Sequence, residues 1–91
     1  MHKKLSPQAV QEAGKLLFPE LGKEQAASLL LHYFFTREKA AFLLGISQKG
    51  YKSHLFRAQK HLKDKLKTDD IEPFIVARLA KIAIIFKHMF K

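Results

Sequence analysis

Apolar residues recur along this chain in steps of three and four rather than two, which is the spacing of helices. Ser6-Pro7 has the form of an N-cap followed by a first helical residue, where proline's missing donor costs nothing. Val10, Ala13 and Leu17 then share one face, and Phe18-Pro19 ends the segment. Gly22 opens a second segment, in which Ala26, Leu29, Leu30, Tyr33 and Phe34 recur at helical spacing. Thr36 is placed to cap a short third helix, Arg37–Leu44, which Gly45 closes as a left-handed C-cap. Ile46 anchors the turn and Ser47 caps a fourth helix that runs to Leu66. Tyr51, Leu55, Ala58, Leu62 and Leu66 line one side of it as a single apolar stripe. Lys67-Thr68-Asp69-Asp70 reads as a linker, with Asp69 or Asp70 as a cap for the final helix. That last segment, from about Ile71 to Phe90, is apolar around most of its circumference. No stretch alternates like a strand and none repeats. The expectation is an all-α chain of about five helices, folded as a single domain over residues 1–91. A helix-turn-helix core lies at about residues 22–66, and a C-terminal helix at about 71–90 serves packing and dimerisation.

Composition narrows the class. With 91 residues, 47 % of them apolar and eight of them Phe, the chain has room for one modest core and is too hydrophobic to be a disordered tail. It has no Cys, which removes disulfides, thiolate chemistry and Cys-based zinc sites together. Met1-His2-Lys3-Lys4 is basic but no long apolar run follows it, so no signal peptide is expected and a cytoplasmic setting is the simplest reading.

Charge changes the picture more. Seventeen Lys and Arg against eight Asp and Glu give a formal net charge of +9. Residues 1–35 carry four basic and three acidic groups, and residues 68–91 again four and three. Residues 37–67 carry nine basic groups against only Glu38 and Asp64, a net +7. Solvated helical faces usually mix signs, so this one-sign block points to a polyanion, nucleic acid first.

The block coincides with the third and fourth helices. Two helices joined by a tight Gly-containing turn, the second one basic, meet the physical description of a helix-turn-helix. Ala41 supplies the small residue needed where the first helix crosses its partner. With Tyr51, Leu55 and Ala58 turned inward, the fourth helix shows Gln48, Lys49, Lys52, Ser53, Phe56, Arg57 and Lys60 on its opposite face, available to a DNA major groove. No nucleophile–base pair, phosphate-binding glycine loop or acidic pair stands out, so no catalytic residue, no cofactor and no enzyme activity are expected. His54 and His61 lie two helical turns apart, but carboxylate partners are sparse and no metal site is expected.

The stretch Ala41-Phe-Leu-Leu-Gly-Ile-Ser-Gln-Lys-Gly-Tyr-Lys-Ser-His-Leu-Phe-Arg-Ala58 resembles the helix-turn-helix of LuxR-type regulators and of sigma-factor region four. Their shared pattern is Ile-Ala-x-x-Leu-Gly-Ile-Ser-x-x-Thr-Val-Lys-x-His/Arg-Leu, often continuing Arg-Ala-x-x-x-Leu. Ala41, Leu44, Gly45, Ile46, Ser47, Lys52, Ser53, His54, Leu55, Arg57, Ala58 and Leu62 fit it, and the resemblance covers roughly residues 22–66. It implies that Lys52, Ser53 and Phe56 face bases while their neighbours touch phosphate. Gly50, Tyr51, Ala40 and Lys39 depart from the pattern, and Phe42 and Leu43 stand where the family carries polar residues, which implies a covered surface.

These readings lead to a DNA-binding transcriptional regulator that engages double-stranded DNA as a homodimer in the cytoplasm, at the nucleoid. Phe42, Leu43, Phe74, Ile75, Leu79, Ile82, Ile85, Phe86 and Met89 are the expected dimer or partner contacts, with one face of the last helix packed near Phe42 and Leu43. The competing reading is a protein-interaction module on a sigma-like scaffold, binding RNA polymerase or another regulator. A third is a membrane-surface helix: Arg78, Lys81 and Lys87 interrupt the last segment, leaving its apolar runs far short of the ~20 residues a bilayer span needs.

Overall fold

The computed structural model describes residues 6–89, with side-chain surroundings for residues 6–81. Five helices follow one another: α1 (Pro7–Leu17), α2 (Lys23–His32), α3 (Arg37–Leu44), α4 (Gln48–Leu66) and α5 (Glu72–Met89). The protein is all-α, and no strand occurs among the described residues.

Local chemistry sets the helix starts. The hydroxyl of Ser6 accepts from Ala9 N at 3.1 Å, that of Thr36 from Lys39 N at 3.2 Å and that of Ser47 from Gly50 N at 3.0 Å. Each satisfies one of the donors a helix leaves unpaired at its first turn. Gly45 ends α3 with φ of 68°. Its N–H and that of Ile46 return to Phe42 O and Ala41 O, both at 3.1 Å, closing the turn in three residues. Lys67 ends α4 in the same left-handed region, with φ of 55°. A side chain is strained there, and Thr68 N donating to Lys63 O at 3.2 Å holds the turn nonetheless.

Helix α2 is the central element. Ala26 to Leu31 are all buried in succession, because α1, α3 and α4 cover it from different sides. It ends at His32, so Tyr33 is half-buried and Phe34 lies in the turn, 51 % exposed. The expected apolar stripe therefore stops short of Phe34. Two apolar clusters flank α2. Leu17, Phe18, Leu21, Leu29, Leu30, Ala58 and Leu62 form one, joined by Ile71 and Ile75. Val10, Ala27, Leu31, Ala40, Ala41, Leu44 and Tyr51 form the other. Leu55 packs against both, so the α4 stripe ties the two together.

Tyr51 stands in the interior of the second cluster and its hydroxyl donates to Ser28 O at 2.9 Å. Burial disfavours the phenolate and pushes the hydroxyl pKa from 10.0 up to about 12. The folded value lies above the unfolded one, so the stabilisation is complete below pH 10 and is lost as pH rises toward 12. Tyr51→Phe is expected to cost about 1 kcal/mol at neutral pH. It should also flatten the alkaline decline expected in denaturant midpoints of the wild type, because the buried phenol that ionises there is gone.

Helix α5 docks through Ile71 and Ile75, one turn apart, onto the corner between α1 and α2. Ile71, rather than Asp69 or Asp70, directly precedes the helix: its carbonyl accepts from Ile75 N at 3.0 Å and its side chain is buried. Burying this isoleucine fixes the helix start where a polar cap was expected. Arg78 fastens the next turn. Its guanidinium donates to Leu17 O at 2.6 Å and to the Glu20 carboxylate at 3.0 Å, and lies over the Phe74 ring at 4.4 Å. Leu17 O is a free carbonyl at the negative end of α1, where a cation is favoured. Burial alone would raise the Glu20 carboxyl. The backbone hydrogen bond, the hydrogen bond and charge of Arg78 and the charge of Lys65 outweigh it and hold the group below its ordinary value of 4.5. The clasp is therefore complete above pH 4.5 and is released as pH falls below it. Arg78→Ala should speed amide exchange over residues 75–79 at neutral pH while leaving α2 and α4 protected. Equal acceleration everywhere would mean that α5 is not an independently opening element.

Candidate nucleic-acid interface

The polar side of α4 is long, basic and unobstructed. Gln48, Lys49, Lys52, Ser53, Phe56, Arg57 and Lys60, the seven residues expected on this face, are all exposed. At about 100° per residue, Lys49, Lys52, Phe56, Lys60 and Lys63 lie within an arc of roughly 80°. At about 1.5 Å per residue they extend along some 21 Å of helix. Among the described residues the one ion pair is Arg78–Glu20, so no cation of α3 or α4 is neutralised by a carboxylate within 4.0 Å. Lys65 stands apart, its charge acting on Glu20 at the other side of the helix.

The cationic face is held by the buried one. Tyr51, Ala58 and Leu62 are sealed in the clusters and Leu55 and Leu66 are half-buried, which fixes the rotation of α4 about its axis. Ser47 at the helix start and the Gly45 turn fix where α4 begins relative to α3. His54 is half-buried and His61 exposed. Among the described residues no three His, Cys, Asp or Glu side chains gather closely enough to hold a metal ion.

Phe56 interrupts the basic face and is 65 % exposed. Beside it a groove of about 440 Å³ opens between α4 and the end of α2, lined by Phe35, Leu55 and Phe56 with His32, Arg37 and Lys52. Nothing in the periodicity of the chain marks Phe35 as part of a surface. It follows the end of α2 and shares a groove with Phe56 only because α2 packs on α4.

The expected partner contacts divide. Phe42 is 75 % exposed, its ring carrying Lys39 Nζ at 5.5 Å from the centroid. Leu43 is half-buried against the second cluster, and Phe74 and Leu79 are half-buried against the first. Ile75, expected at a partner interface, is instead a core residue of this chain, fully buried in the first cluster and out of a partner's reach. The described side chains of α5 pack on α1 and the first cluster, whereas Leu43 belongs to the second, so residues 72–81 do not take the expected seat near Phe42 and Leu43. The reason is the pairing of Ile71, Ile75 and the Arg78 clasp with the α1–α2 corner. The side chains of Ile82, Ile85, Phe86 and Met89 lie outside the described residues. Val76, not singled out by the pattern, is exposed on the described part of α5. Among the described residues no helix is long and apolar enough to cross a membrane.

Among the described residues these features define a five-helix, all-α fold with one strongly cationic helix face. Compared with protein-family models, with curated proteins and with solved structures, the chain gives no significant match.

Proposed function

We propose that this protein is a transcriptional regulator that binds duplex DNA by laying α4 in the major groove. The observation that carries the reading is the predominantly cationic exposed face of α4, with no ion pair on its lysines and arginine, held outward by a buried apolar stripe and started by a Ser-capped three-residue turn. Lys49, Arg57 and Lys60 bind phosphate and supply most of the affinity. Lys52, Ser53 and Phe56 face base edges: the ammonium suits guanine acceptors and the ring suits thymine methyls. The resemblance of residues 41–58 to LuxR-type and sigma region-four domains supports the same docking. The apolar composition of α5 supports pairing with a second copy, which presents two such helices to a twofold site, with the nucleoid as the place of action.

A salt-series titration against a random-sequence duplex pool, with sequencing of what is retained, tests the reading. Retention that falls steeply with salt and enriches a twofold motif is the expected result. Retention without enrichment reduces the protein to a non-specific DNA coater, and no retention at low salt overturns DNA binding. The exposure of Phe42 favours a second reading, in which α3 contacts RNA polymerase or another regulator. Copurification of such a protein with no DNA retention would put that reading first.

A further inference from the structure

The groove beside α4 borders the face proposed to meet DNA and shares Lys52 and Phe56 with it. Leu55 and Gln59 place it roughly a quarter-turn round the helix from Lys49 and Lys60. A duplex centred on α4 presents its sugar–phosphate backbone to such a flank. That backbone offers nothing to the ring of Phe35, yet Phe35 lines the groove with Leu55 and Phe56, and the two rings are 37 % and 65 % exposed. Arg37 and Lys52 also line it and no Asp or Glu does. A groove lined by apolar rings and by cations, with no carboxylate, is complementary to a segment that is apolar along one stripe and acidic beside it.

We infer that this groove docks an acidic amphipathic helix of another protein, with apolar side chains seated on Phe35 and Phe56 and carboxylates against Arg37 and Lys52. Charge complementarity selects this occupant over a second copy of the chain, whose formal charge is +9 and whose last segment pairs its apolar residues with lysines. Lys52 and Phe56 also belong to the proposed DNA face, so the docked helix and DNA exclude each other. The docking itself does not rest on the DNA reading, whereas the exclusion does.

The test uses the full chain and a fluorescein-labelled peptide with Leu and Phe at i, i+3, i+4 and i+7 and Asp or Glu elsewhere. Two control peptides keep either the acids with Ser for the apolar residues, or the apolar residues with Asn and Gln for the acids. Anisotropy titration should show saturable binding of the first peptide alone. Phe35→Ser, at a partly exposed turn position whose loss leaves the core intact, should weaken it about tenfold. The same variant should keep wild-type retention on duplex DNA, and unlabelled peptide should displace that DNA from the wild type. Equal binding of the acid-only peptide, or Phe35→Ser without effect, would overturn the docking site. Weakened binding of single-stranded oligothymidine by Phe35→Ser, with no peptide binding, would reassign the groove to unpaired bases. Peptide binding by a chain that retains no duplex would uphold the docking and overturn the DNA reading alone.

Discussion

Gly14→Ala is expected to destabilise the protein by about 2 kcal/mol or more, the range of overpacking a tight contact. An added Cβ at Gly14 would stand 2.7 Å from Ala26 C, 2.8 Å from Ala27 N and 2.9 Å from Ala26 O. All three are backbone atoms of α2, so no side-chain rotation relieves the clash and α1 must move off as a body. That movement opens both clusters, because Val10 belongs to one and Leu17 to the other. The gain in helix propensity, about 1 kcal/mol for Gly to Ala, works in the opposite direction and is outweighed. Gly50→Ala is the matched comparison. Its Cβ would meet only the Ser47 hydroxyl oxygen, at 3.2 Å, so its effect should stay within about 1 kcal/mol. Urea or guanidinium midpoints for the two variants decide the matter. A stabilised Gly14→Ala would mean that the α1–α2 approach is looser than the geometry requires.

The same pair of glycines marks what can and cannot be read from a single chain. Both lie inside helices and cost the same local propensity. Gly50 is conspicuous because it interrupts a motif, while Gly14 looks like an ordinary surface flaw until α2 is seen pressed against it. Features set by neighbours in sequence were legible: the caps at Ser6, Thr36 and Ser47, the left-handed Gly45, and the stripe from Tyr51 to Leu66 are local or periodic signals. Features set by approach in space were not. Arg78 reaching Leu17 O and Glu20 spans some sixty residues, and no spacing rule connects them. The same holds for Tyr51, whose hydroxyl finds Ser28 O across α2. Ile75 reads as a partner contact because α5 is apolar on more than one face, and periodicity cannot say which face the chain keeps for itself. The cationic face of α4 was legible because helical period and charge sign are both written in sequence, whereas the groove at Phe35 depends on α2 meeting α4.

Removing the three proposed phosphate contacts from α4 is the largest functional change expected. Each phosphate neutralised contributes about 0.9 to the slope of log affinity against log salt. Lys49→Gln, Arg57→Gln and Lys60→Gln together should therefore lower that slope by about 2.7 and weaken duplex binding roughly 10²–10³-fold near 0.1 M salt. The three side chains are exposed and free of carboxylate partners among the described residues, so the triple variant should fold as the wild type does. The loss should be the same for every duplex sequence, since phosphates carry no sequence information. Lys52→Ala should behave differently: a smaller loss of affinity, with the enriched motif blurred at one position by about 1–3 kcal/mol of discrimination. The contrast between the two variants carries more than either alone. A triple variant that lowers affinity without changing the salt slope would mean that these cations do not touch phosphate, and a Lys52→Ala protein with unchanged preference would remove this side of α4 from the major groove.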